Sequence, residues 1–141
     1  KELLQVFIDH RIQVVTRRSN FRKAKATARL NLVEGLLKAI IDIDKVVKII
    51  RGSDDANEAK ESLIKSFKLS EEQATYILDM PLRRLTKMSK IELDTEAKEL
   101  KSTISKLTAL LKSEEALRNQ VSDELSEVSA KYATARRTLI A

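Results

Sequence analysis

Pro81 is the only proline in this chain, and Gly35 and Gly52 are its only glycines. Three helix-disfavouring residues in 141 leave long tracts with nothing to break a helix. With 34% charged residues, this predicts an almost entirely helical protein. An aromatic content of 4% is low for a thick globular core. A narrow apolar seam between long helices needs few aromatics. The length suits one domain, or less than one if the domain is elongated.

The proline lies in the string Asp79-Met80-Pro81-Leu82-Arg83-Arg84-Leu85-Thr86. Helical geometry is disfavoured at Met80, before the proline, while Pro81 can open a new short helix where its missing N–H costs nothing. Upstream, residues 2–33 form one helix, with Phe7, Val14, Phe21 and Ala28 at seven-residue spacing. Gly35 interrupts this run without having to end it. From Leu36 to Ile50 the apolar residues cover too wide a face for a solvent-exposed helix, so they must be buried on several sides. Arg51-Gly52 is a C-terminal stop, with glycine free to take positive φ. Ser53, Asp54 and Asp55 cap a helix through Phe67, and Ser70-Glu71-Glu72-Gln73 is a capping box for a helix to Asp79.

Residues 88–112 carry Leu93, Ala97, Leu100, Ile104, Leu107 and Leu111 at alternating spacings of four and three, a heptad seam. Its partner is the helix of residues 2–33, packed antiparallel. Ser113 caps a last helix with Leu117, Val121, Leu125, Val128 and Tyr132 on one face, and Arg136-Arg137-Thr138 leaves the helical pattern. The expected fold is all-α, a long antiparallel coiled-coil arm with a small globular helical knob at its tip. Residues 1–34 descend, 35–88 form the knob, 89–112 return, and 113–141 make an amphipathic helix and tail. The start on Lys1 inside a helical pattern, with no initiator Met, suggests an excised piece.

The net charge of +6 is unevenly spread. Twelve basic side chains face five acidic ones in residues 1–53, three face seven in 54–80, and eight face four in 81–112. The basic excess therefore lies on the two long helices and the acidic excess in the knob. Such a patch can attract nucleic acid by neutralising phosphates. With no aromatic interleaved and no recognition motif, a solvated helical face is the preferred reading.

Catalytic chemistry is not legible. His10 is the only histidine and there is no cysteine, which excludes disulfides, thiolate sites and histidine metal clusters and suits a reducing cytosol. The acidic residues sit at helix starts, where the dipole explains them. The two glycines stand alone and make no phosphate loop. Arg83-Arg84 could clamp an anion, but between Leu82 and Leu85 they suit a structural role better. Tyr76 and Tyr132 fall on apolar faces. No apolar run is long enough for a membrane span.

Phe7-Ile8-Asp9-His10-Arg11, Arg17-Arg18, Phe21, Lys23-Ala24, Glu34-Gly35-Leu36 and Ile43-Asp44 carry a resemblance. So do Leu69 to Ala74, Ile77 to Thr86 and Arg136-Arg137-Thr138. In this order, over nearly the whole chain, they resemble the A subunits of bacterial type IIA DNA topoisomerases, the group formed by gyrase and topoisomerase IV. Pro81 and the Lys87–Leu93 stretch tilt the resemblance toward the topoisomerase IV type of high-GC Gram-positive bacteria. The resemblance implies a coiled-coil arm ending in an exit gate, where two subunits meet and the transported duplex leaves. It implies a parent enzyme that is an ATP-hydrolysing topoisomerase, cytoplasmic and nucleoid-associated, partnered by an ATPase B subunit with double-stranded DNA as its target. ATP and magnesium would bind on other domains or subunits. This segment would hold no cofactor, metal or catalytic residue, since no Arg-Tyr pair of the DNA-cleaving kind is present.

The candidate surface for a homodimer is Leu36, Leu37, Ile40, Ile41, Ile77, Met80, Leu82 and Leu85, where a thin knob has more apolar side chains than it can bury. Two other readings compete. A generic coiled-coil interaction module predicts no homodimer through the knob, and a basic helical nucleic-acid binder predicts salt-sensitive DNA binding.

Overall fold

The computed structural model describes residues 1–81, 84, 85, 89–135, 137 and 138, and within them every regular element is a helix. In chain order these are α1 (Glu2–Ile41), α2 (Ile43–Gly52), α3 (Ala56–Phe67), α4 (Glu71–Asp79), α5 (Lys90–Lys112) and α6 (Glu114–Tyr132). The all-α expectation is met. Leu82, Arg83, Thr86 and Arg136, used in the sequence reading, lie outside the described residues.

Most of the ends follow from local chemistry. The Ser70 hydroxyl accepts from the Gln73 N–H at 3.3 Å, and the Ser70 N–H donates to Gln73 Oε1 at 2.9 Å, so the capping box is complete. Met80 is extended, at φ −81° and ψ 131°, as a residue before proline should be. The carbonyl of Pro81 accepts from the Arg84 and Leu85 N–H groups at 2.8 and 3.2 Å, which starts a new turn there. Ser113 caps α6, its hydroxyl accepting from the Ala116 N–H at 3.2 Å.

Four ends differ from expectation. The apolar stretch 36–50 is divided at Asp42, whose carboxylate accepts from the Lys45 N–H at 3.3 Å and starts α2. One helix with an over-wide apolar face thus becomes two helices with narrower ones. Gly52 does not adopt positive φ; α2 ends on an extended Ser53 whose hydroxyl donates to the Ile49 carbonyl at 2.7 Å. The left-handed residue is Lys68, at φ 50°, at the end of α3. Its exposed carbonyl accepts from Lys38 Nζ at 3.2 Å. Asp55 occupies the N-cap of α3 without a side-chain capping bond, and the Asp54 N–H is taken by the Glu58 carboxylate instead.

The chain divides into two compact units, one made of Lys1–Lys23 and Ser105–Ala141, the other of Ala24–Ile104. In the second, Val33, Leu36 and Ala39 of α1 join Val46, Leu63, Leu69, Ala74, Ile77, Leu85, Leu93 and Ala97 in one buried cluster. Leu36, Leu63, Ile77 and Leu85 are its largest fully buried side chains. The first unit has a thinner core of Val15, Leu117 and Val121, with Ile12 and Leu110 packed against it.

Candidate interface surface

In the larger unit the side chain of Gln73 connects two helices. While Oε1 closes the cap of α4, Nε2 donates to both the backbone carbonyl and the Oδ1 of Asn31, at 2.6 and 2.8 Å. Gln73 is buried, so satisfying the whole amide removes a desolvation cost. Gly35, one turn after Asn31, makes room for it. A β-carbon there would lie 2.8 Å from Gln73 Cγ and 2.9 Å from its Cβ. Arg29 holds Glu96 with two bonds, at 2.7 and 3.2 Å, and reaches the Tyr76 hydroxyl at 3.3 Å. Lys101 pairs with Glu34 at 2.9 Å. Sequence reasoning took Gln73 only as a cap and missed Arg29, Asn31 and Glu96, because no local spacing links residues so far apart in the chain.

The candidate dimer residues separate into two groups. Leu36, Ile77 and Leu85 are fully buried in this chain's own core. They cannot present a surface and are corrected to core residues: the wide apolar face that singled them out is consumed by α1, α2, α3 and α4 packing together. Leu37, Ile40 and Met80 are half-buried against that core. Ile41 is 70% exposed, unlike any other large apolar residue in the second half of α1. It borders a groove of about 390 Å³ lined by Lys38, Ile41, Asp42, Ser66, Phe67 and Lys68. Lys45 Nζ stands 5.4 Å from the Phe67 ring centroid, a cation–π contact. Leu82 lies outside the described residues.

The seam residues also shift. On α5, Leu93 and Ala97 are buried and Leu100 packs against the same cluster, while Ile104, Leu107 and Leu111 are half-buried. On α1, Phe7, Phe21 and Ala28 are exposed and Val14 is half-buried. The buried residues are instead Val15 and Ser19. The sequence pattern followed the bulkiest side chains, yet small Ser19 allows a helix to approach closely, and two arginines fix which side faces α6. Tyr132, expected on a packed face, is 68% exposed at the end of α6. His10 is exposed.

Those two arginines are Arg11 and Arg18, one on each side of Val15, and both meet Glu124 of α6. Arg11 Nη2 is 3.2 Å from Glu124 Oε2, Arg18 closes on Oε1, and Gln120 Nε2 donates to the same oxygen at 3.1 Å. The Arg18 hydrogen bond holds the Glu124 carboxyl below the ordinary glutamate range. Partial burial opposes this, and Gln120 and the charges of Arg18 and Arg11 add to it. A depressed folded pKa contributes stability above the unfolded value, ~4.3, that is lost as pH falls through the lower folded value. Glu124→Gln is therefore expected to cost about 1 kcal/mol at neutral pH and to flatten the loss of stability below about pH 4. Urea unfolding of both proteins across an acid series measures this.

Among the described residues no group of three or more His, Cys, Asp or Glu side chains could hold a metal ion. No helix among them is long and apolar enough to cross a membrane.

The model of the family described as the A subunit of DNA gyrase/topoisomerase IV matches residues 1–126. The gyrase A protein of Campylobacter jejuni is 44% identical over 139 residues, that of Clostridium acetobutylicum 43% over 140 residues, and that of Brachyspira hyodysenteriae 41% over 140 residues. Each alignment covers 99% of this chain. The chain belongs to the family of DNA gyrase and topoisomerase IV A subunits. It spans only 17%, 17% and 16% of the Brachyspira, Clostridium and Campylobacter proteins respectively. All three bear the gyrase name, which gives no support to the tilt toward topoisomerase IV.

Proposed function

We propose that this chain is the exit-gate region of the DNA-cleaving A subunit of an ATP-dependent type IIA topoisomerase. Two copies meet through the unit built on α2, α3 and α4, and a transported duplex leaves as they part. The observation that carries the proposal is the family match over residues 1–126. The exposed end of α1 supports it, because a gate requires an apolar surface large enough to close and small enough to open. An interface of ~1,000–1,600 Å² meets both needs. Ile41 is the centre of that surface, beside the groove lined by Lys38, Ser66 and Phe67, and the half-buried Leu37, Ile40 and Met80 are its further candidates. The partners of the parent enzyme are an ATPase B subunit with duplex DNA, ATP and magnesium act elsewhere, and the working compartment is the bacterial cytoplasm.

Ile41→Asp is expected to weaken self-association at least tenfold, because a desolvated carboxylate costs several kcal/mol at a closed interface. Ile91→Asp is the control, since Ile91 on α5 is just as exposed. Size-exclusion chromatography with light scattering reads both. Equal masses for the two variants and the parent chain would exclude the Ile41 surface as the gate.

A further inference from the structure

The charges gathered around Ile41 are mostly of one sign. Ile41 and Phe67 form the apolar part of one groove, and Lys38 and Lys68 line the same groove with Asp42 and Ser66. Lys45 reaches it from α2, with Nζ over the Phe67 ring. All three lysines are exposed, and none has a carboxylate partner among the described residues. Lys38 Nζ binds the Lys68 carbonyl instead, which holds one ammonium beside the residue that carries another. Asp42 is the one carboxylate in the groove, and its Oδ1 already accepts from the Lys45 N–H. Three cations against one carboxylate leave this rim a formal charge of +2. Elsewhere in the same unit Lys60, Lys65 and Lys101 have Glu71, Glu61 and Glu34 as partners.

Two copies related by a two-fold axis present the same patch to each other, so a patch of one sign meets its own sign. We infer that, in the proposed dimer through Ile41 on which this rests, Lys38, Lys45 and Lys68 form a repulsive rim that limits how tightly the gate closes and that salt screens. Burial of Ile41 and the Phe67 groove draws the copies together, and the facing rims push them apart. The Debye length is ~30 Å at 0.01 M salt and ~3 Å at 1 M, so the repulsion acts across a closed interface at low salt and is almost abolished at high salt. Interfaces with complementary charge do the reverse and loosen as salt rises. A contact that must part as well as close gains from a built-in opposing force, which a purely apolar patch lacks.

Sedimentation equilibrium of the 141-residue chain in sodium chloride from ~0.02 to ~0.5 M tests this. The dimer is expected to tighten about fivefold across the series. Lys38→Gln/Lys68→Asn brings the rim to formal neutrality, and asparagine suits the left-handed geometry at position 68. This variant is expected to dimerise about fivefold more tightly than the parent at low salt and to converge with it at high salt. Lys106→Gln/Lys112→Gln removes the same charge from exposed positions of α5 on the other compact unit, and should follow the parent within about twofold at every salt concentration. Circular dichroism confirms that each variant keeps its helices. A dimer that loosens with salt, or a rim variant no tighter than the parent at low salt, would overturn the rim and leave the gate standing. Equal tightening by the two double variants would trace the effect to net charge and overturn the rim as well. A monomer at every salt concentration, for the parent and both variants, removes the gate reading and the rim with it.

Discussion

Leu63→Ala is expected to lower stability by about 2–5 kcal/mol, the largest loss foreseen for any single truncation in this chain. Leu63 is fully buried at the middle of α3, the helix that packs on α2 on one side and α4 on the other. Its neighbours cannot collapse into the space. Val46 comes from a helix fixed by the Asp42 cap, and Ile77 from one fixed by the Ser70–Gln73 box. The cavity therefore stays open, and the lost transfer energy and lost contacts add. Urea unfolding followed by helical circular dichroism reads the change. A loss below about 1 kcal/mol would mean that α3 is loosely packed.

Gly35→Ala is expected to cost about 2 kcal/mol, although alanine is the better helix former by ~1 kcal/mol. The new methyl would meet Gln73 Cγ at 2.8 Å and Cβ at 2.9 Å, atoms too close to the α4 backbone to swing aside. Relieving the clash would displace Gln73 from Asn31 and undo a cap and two bonds together. Gly52 supplies the contrast. Nothing lies within 4 Å of a β-carbon there and φ is not positive, so Gly52→Ala is expected to stabilise by about 0.5–1 kcal/mol. Opposite signs at the two glycines would separate steric crowding from helix propensity. Matching gains at both would show that Gln73 yields easily.

The helix ends were largely legible because capping is local. Ser70, Met80-Pro81 and Ser113 act within three or four residues, and each boundary falls where that chemistry places it. Asp42 escaped notice because an aspartate inside an apolar run looks like a solvent-facing break in the pattern, when it is itself the start of α2. Lys68 escaped because left-handed geometry is sought at glycine.

The face of α1 was misjudged for a different reason. Side-chain bulk suggested Phe7 and Phe21, while the packed side is set by small Ser19 and by Arg11 and Arg18 reaching Glu124, more than a hundred residues away in the chain. Long-range ion pairs leave no periodic trace. The same limit applies to the dimer surface. Leu36 and Ile41 are equally apolar in sequence, and only the packing of α2, α3 and α4 buries the first and leaves the second exposed.

The exit-gate proposal requires two copies of this chain to close on each other. Sedimentation equilibrium of the unaltered chain across the micromolar range tests it most directly. A reversible monomer–dimer equilibrium is expected, with the dimer dominant at high micromolar concentration. A single species of 16.0 kDa at every concentration would contradict it.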